Sequence, residues 1–315
     1  MSSEIKKRVE WIDISKGIAI ILVVAGHILT GNLKYLIFTF HMPFFFILSG
    51  YLQNPNGRLK LKKHTKLISQ YILYWIAFTC FDALVSYARG GLTLSQIETY
   101  AFNFSMGGAW LTGSLGVFWF IPVFILSSIV LNLASKMSTV NIITTIVIML
   151  SLSYVESYYV KTDIIYDLDV CLYSIPLMLT GHLVKRNESL FTWRLVFPCF
   201  IISCIAMVLL PGFLKIDLKA TEYGFPVISL FVALSVTLFI MKTSKSISNK
   251  IVLLFGESSL TVMFIHQFIH FNIAQRINRN TYSELAITLS LCFIYITLKP
   301  MILKKRTTAI APPYN

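Results

Sequence analysis

Charge is scarce in this sequence. Of 315 residues only 13% are charged, with 14 acidic side chains against 27 lysines and arginines, while 56% are apolar and the mean hydropathy is +0.72. Globular chains carry roughly 25% charge, and a water-soluble monomer of this size could not hide so much apolar surface. Cysteine is sparse too: the five thiols, at 80, 171, 199, 204 and 292, fall inside apolar stretches without metal-ligand spacing. That pattern argues for buried thiols rather than a metal site or a disulfide framework. Internal repeats, low-complexity tracts and a soluble insertion are also missing, so residues 1–315 read as a single integral membrane domain.

What is present is a succession of apolar stretches, at about 12 to 30, 35 to 52, 67 to 88, 116 to 135, 140 to 156, 168 to 184, 194 to 212, 225 to 241, 251 to 272 and 285 to 303. They predict an all-α, polytopic membrane bundle of about ten transmembrane helices. Lys6, Lys7 and Arg8 ahead of the first stretch resemble the start of a secretory signal. The run lacks a small-residue cleavage site and contains Asp13, Lys16 and His27, so it is expected to be a retained helix. The connection from Arg89 to Leu115 is long and Gly-rich among otherwise short ones, and a loop of that kind can cover a site.

The basic residues sort by side. With a cytoplasmic N-terminus, 20 of the 27 fall on the inner connections, leaving Lys34, Arg89, Lys161, Lys215, Lys219, Arg276 and Arg279 outside. This asymmetry predicts both termini in the cytosol. The formal charge of +13 is then mostly topological, and no nucleic-acid partner is needed to explain it.

Chemistry begins in the first stretch. Lys16 and His27 are eleven residues apart, three helical turns plus about 20°, so on a helix they share a face about 16 Å apart. Ionisable groups at membrane depth are expensive and point to a polar cavity or pathway. A snorkelling lysine and a histidine satisfied by one interhelical hydrogen bond are the competing structural roles.

The run from Asp13 to His27, DISKGIAIILVVAGH, followed by FHMPFFFILSGYL at 40 to 52, resembles the opening of the acyltransferase 3 family of integral membrane acyltransferases. FWFIPVF at 118 to 124 is similar to that family's Trp-Phe-Leu element, and FGESSLTVMFIHQFI at 255 to 269 to its late Gly-x-x-Ser-Leu helix. Within the family the likeness is to the fucose 4-O-acetylase-like proteins that O-acetylate sugars of bacterial surface polysaccharides. The resemblance implies ten helices in a bacterial inner membrane, acetyl-CoA as donor, and a glycan or lipid-linked glycan as acceptor. The family's Arg-x10-His pair falls on Lys16 and His27, and its Arg-x-x-Arg pair on Lys63 and Lys66. Lysine keeps the charge at these positions but lacks the bidentate fork of arginine.

Transfer of an acyl group from a thioester to a hydroxyl needs a base, and an imidazole with an ordinary pKa near 6.5 suits that task. His27 is the candidate, with Lys16, Lys63 and Lys66 expected to hold the donor's phosphates. Direct attack by the hydroxyl and a covalent acyl-enzyme both fit. Trp119 or Ser258 could supply an oxyanion or acceptor contact. His41 is expected either to line the active cavity or to satisfy backbone opened by Pro43. Glu257, expected to be buried, could orient a histidine or bind the acceptor. His266 and His270 stand at i, i+4, a spacing zinc sites use, but a third ligand is not evident in the sequence and no metal is expected.

A glycan or lipid transporter without acyl chemistry is the alternative from another class, and a succinyl- or other acyltransferase the nearest variant. Transporters commonly show internal repeats and paired broken helices, neither of which is evident in this sequence.

Overall fold

The computed structural model of the chain describes residues 9–54, 61–160 and 163–309. Lys6, Lys7, Arg8, Arg58, Lys60 and Lys161, which entered the charge reading, lie outside the described residues. The described residues are mostly helical and form no strand, with one isolated β-bridge between Asp217 and Glu222.

Helix α1 (Glu10–Ile28) carries Glu10 and Asp13 in its first turn and His27 in its last, an arrangement that complements the helix dipole. The next apolar stretch folds as α2 (Gly31–Phe38) and α3 (His41–Tyr51), broken at Thr39 and Phe40. Pro43 sits in the first turn of α3, where its missing N–H breaks no helical bond. The long α4 (Leu61–Ala88) follows, then α5 (Leu94–Met106), which opens with a capping box between Thr93 and Gln96. The connection expected to be a loop therefore contains a helix, and its glycines flank it, Gly90 and Gly91 before and Gly107, Gly108 and Gly113 after.

The chain continues through α6 (Phe120–Ala134), α7 (Thr139–Val155), α8 (Cys171–Arg186), α9 (Trp193–Leu209) and α10 (Ile228–Thr243). Helix α11 (Lys250–Glu257) is capped by Asn249, whose side chain accepts from the N–H groups of Ile251 and Val252. Helix α12 (Ser259–Ile269) leaves α11 at an 88° bend and ends in a π-helical turn, followed by the single-turn α13 (Gln275–Ile277) and the long α14 (Thr281–Ala309).

Among the described residues, seven helical segments are long and apolar enough to cross a membrane, or eight if the bent α11–α12 pair forms one span. The expected ten stretches are all helical, but two fall short of a full span. Helix α9 has 17 residues, and α8 has 16 and includes His182, Lys185 and Arg186. Helix α8 lies instead in the middle of the bundle, with most of its residues buried.

Two pairs of glycines set how closely the central helices approach. A Cβ on Gly50 of α3 would stand 1.7 Å from the Met178 carbonyl oxygen, and one on Gly181 of α8 would stand 1.9 Å from that of Ile47. The α1–α11 crossing repeats the device: a Cβ on Gly17 would meet the Val252 oxygen at 2.0 Å, and one on Gly256 the Asp13 oxygen at 1.6 Å. These two crossings are the most extensively packed helix pairs among the described residues. Small residues of this kind let helices pack backbone to backbone in lipid, where no hydrophobic force drives them together. Around this centre, α4, α7, α9 and α14 turn side chains such as Leu73, Val147, Ile205 and Leu298 outward, the surface a membrane would cover.

Candidate active site

Two cavities enter the bundle from opposite ends of α1. The first, about 450 Å³, opens at the Lys16 end and is lined there by Lys16, Gln53, Asn54, Lys63, His64 and Ser128. The second, about 330 Å³, lies at the His27 end, where its polar lining includes His27, Lys34, His41, Trp119, Lys219 and Gln267. Val23, Met42, Phe120 and Met263 line both. Those four side chains form an apolar partition between a basic chamber and a histidine-bearing one.

Three imidazoles converge beyond the partition. The His27 ring centroid is 5.3 Å from that of His266 and 6.0 Å from that of His41, and Phe38 packs edge-on at 5.8 Å. His41 Nδ1 is 3.1 Å from the Ile37 carbonyl and His266 Nδ1 is 3.0 Å from that of Val262. Each carbonyl can only accept, so both rings carry their proton on Nδ1 and keep a lone pair on Nε2 when neutral. His41 thus satisfies backbone at the α2–α3 break and lines the cavity as well.

His27 differs, because its Nδ1 faces the side-chain amide of Gln267 at 3.4 Å. With the amide nitrogen toward the ring, as it stands, Gln267 donates and the His27 proton sits on Nε2. A half-turn of the amide presents Oε1 instead, which accepts from Nδ1–H and leaves Nε2 free as a base. Gln267 Oε1 is buried and has no other hydrogen-bond partner, so this second orientation satisfies a group otherwise left unpaired.

The roof of the His27 cavity is the Gly-rich segment after α5, through Thr112, Gly113 and Gly116. Asp167 accepts a hydrogen bond from the Ala109 N–H at 2.6 Å, and Lys219 donates to the Leu111 carbonyl. Gly108, at φ +49°, lets the turn close on Asp167, since a Cβ there would stand 2.2 Å from its Oδ1. Burial pushes the Asp167 carboxyl up to about 7 and lowers the Lys219 ammonium.

The remaining expected site residues are scattered. Lys16 is ion-paired to the buried Asp13 at 2.8 Å, so part of its charge is already compensated. Lys63 lines the first cavity beneath Phe124, with its ammonium 5.7 Å from the ring, whereas Lys66 is exposed and lines neither cavity. Ser258 caps the bend between α11 and α12 and Ser259 reaches the first cavity in its place. Glu257, expected to be buried, is exposed at the last position of α11, at the 88° bend that precedes α12. Sequence reasoning missed His64, Lys34, Lys219 and Gln267 as cavity residues. His64, hydrogen-bonded to Ser128 at 2.9 Å, was masked by the lysines around it.

His266 and His270 share a helix but serve different neighbourhoods. The first packs on His27, while the second stands 3.7 Å from Glu284 and 3.2 Å from Gln275. Among the described residues no cluster of three or more His, Cys, Asp or Glu is placed to hold a metal ion.

The bundle thus holds a basic chamber and a histidine-bearing chamber on either side of an apolar partition. The chain belongs to the acyltransferase 3 family, whose acyltransferase domain matches residues 9–302. No curated protein and no solved structure matches it. The protein is a membrane acyltransferase.

Proposed function

We propose that the protein is an O-acetyltransferase of a bacterial cytoplasmic membrane. It moves an acetyl group from cytosolic acetyl-CoA to a sugar hydroxyl of a surface polysaccharide, such as O-antigen, capsule or exopolysaccharide, or of its lipid-linked precursor. The observation that carries this reading is the pair of cavities meeting at Val23, Met42, Phe120 and Met263, with lysines on one side and histidines on the other. In this reading the Lys16 end and both termini face the cytosol, in keeping with the distribution of basic residues.

The donor's phosphates rest among Lys63, His64 and Lys16, and its pantetheine arm points along α1 toward the partition. Met42 and Met263 are unbranched and flexible, so their side chains can swing aside to admit the thioester. The acceptor hydroxyl enters from the other chamber. His27 Nε2, freed by Gln267, takes its proton; the hydroxyl oxygen attacks the thioester carbonyl, and the resulting oxyanion collapses with rupture of the C–S bond. The thiolate leaves and collects the proton from the imidazolium. Trp119 lines the same chamber, and its indole N–H can donate to the oxyanion. An acyl-enzyme on His27 Nε2 is the other order of the same steps, with the imidazole attacking first.

The test is expression of the intact protein and a His27→Ala variant in a strain lacking the native gene, with surface glycans examined for ester-linked acetyl by mass spectrometry and mild alkaline release. Intact protein restores the ester and the variant does not. Acetylation by a correctly inserted His27→Ala protein contradicts the role of His27, and loss of glycan export without acyl chemistry returns the transporter reading.

A further inference from the structure

The second chamber is richer in positive charge than acetyl transfer to a neutral sugar requires. The charge reading leaves six described basic residues on the His27 side, namely Lys34, Arg89, Lys215, Lys219, Arg276 and Arg279. These come from four separate connections. Lys34 and Lys219 line the His27 cavity, and Arg276 and Arg279 line a neighbouring open cleft of about 730 Å³. Phe271 belongs to both linings and joins them. Lys215 stands 5.8 Å from the Phe38 ring that Lys34 covers at 5.1 Å, but it is ion-paired with Asp217 at 3.2 Å and Glu222 at 2.7 Å and adds no free charge.

Two acids share these linings with the four bases. Asp217 is paired with Lys215 at 3.2 Å, and Glu284, 3.7 Å from the His270 ring, lines the cleft with Arg276 and Arg279. Among the described residues, Lys34, Lys219, Arg276 and Arg279 make no ion pair. Lys34 covers a phenylalanine and Lys219 donates only to a backbone carbonyl. Topology alone disfavours basic residues on this side of the membrane, yet four of the six line the His27 cavity or the cleft on the other side of Phe271. Arginine forks there match a planar carboxylate or a phosphate.

We propose that the acceptor is an anionic glycan, whose carboxylate or phosphate groups are held by Lys34 and Lys219 at the His27 cavity and by Arg276 and Arg279 in the adjoining cleft. This deepens the acetyl-transfer reading and rests on it for the word acceptor. The negative group sits on a neighbouring sugar or on the linkage to a carrier lipid, and it sets which hydroxyl reaches His27 by anchoring the chain on either side of Phe271.

The test separates binding from chemistry by using the full-length His27→Ala protein in neutral phosphatidylcholine vesicles. Binding of a fluorescent tetragalacturonate is compared with that of its carboxyl-reduced, neutral counterpart, with inorganic pyrophosphate as competitor. The acidic oligosaccharide should bind at least about tenfold more tightly, the scale of hydrogen bonds to charged groups, and the preference should shrink between low and high salt. Lys34→Gln with Arg276→Gln should remove it. If the negative group belongs to the carrier linkage, pyrophosphate binds in place of the uronate and the same two substitutions abolish its binding. Equal binding of acidic and neutral oligosaccharides, with no pyrophosphate binding, overturns the proposal. Preserved anion binding together with absent acetyl transfer in the wild-type protein would overturn the transferase reading alone.

Discussion

Gln267 on α12 presents its side-chain amide to His27 Nδ1 at 3.4 Å, across a gap of 240 residues in sequence. In the orientation that places Oε1 toward the ring, this one contact decides which imidazole nitrogen is the base. Gln267→Leu should therefore lower kcat by about a hundredfold, the lower end of what a positioned general base contributes, with KM for the donor unchanged. Gln267→Glu keeps the acceptor oxygen and should retain most of the activity. Steady-state kinetics with a pH profile checks this; equal losses in both variants would show that Gln267 only fills space.

The partition between the two cavities should act as a passage for the acyl group alone. Val23 is buried and lines both chambers, so Val23→Phe adds bulk where the thioester must arrive. Acyl transfer should fall at least about tenfold while acetyl-CoA affinity, measured by equilibrium binding, stays within about twofold. Overpacking itself costs about 1–3 kcal/mol, so a thermal melt must show the variant folded.

The two lysines of the first connection should not be equivalent. Lys63 lines the donor chamber and Lys66 does not. Lys63→Ala should weaken acetyl-CoA binding about tenfold, in line with a charge-assisted hydrogen bond to phosphate, and Lys66→Ala should change it little. Isothermal titration at fixed salt distinguishes them, and equal effects would assign the chamber only a diffuse field.

Asp167 makes the cavity roof sensitive to pH. Its carboxyl is raised by burial from an ordinary value of 3.8 to about 7. The folded state then holds the proton more tightly than the unfolded one, so stability falls as pH rises between these values, by at most about 1.4 kcal/mol per unit. Above about 7 the loss is complete and the curve flattens. Thermal melts from pH 4 to 8 should show this contribution as a difference between the wild-type protein and Asp167→Asn, which can still accept from Ala109, the wild type losing stability relative to the variant as pH rises. An unchanged slope in the variant would place the titrating group elsewhere.

Local pattern carried the helices well. All ten apolar runs fold as helix, although α5 lay in none of them, and Lys16 and His27 fall on the one helix α1. Span length was less legible, because α8 is apolar enough to be buried yet lies in the bundle centre at only 16 residues. The convergence of His27, His41 and Trp119 in one cavity followed the motifs. Gln267 did not, because its approach depends on the 88° bend after Glu257, which no local propensity announces. The same bend left Glu257 exposed. Lys34 and Lys219 looked like ordinary loop charges, since only the tertiary fold brings their two connections over the same chamber.

The central claim is that His27 is the base for acyl transfer between the two chambers. The direct measurement is transfer of radiolabelled acetyl from acetyl-CoA, supplied on the Lys16 side of proteoliposomes, to an acceptor glycan on the other side. Wild-type protein should label the glycan, and His27→Ala should bind acetyl-CoA normally but transfer at least about a hundredfold more slowly. Transfer at the wild-type rate by the variant, or glycan movement across the bilayer without label, would contradict it.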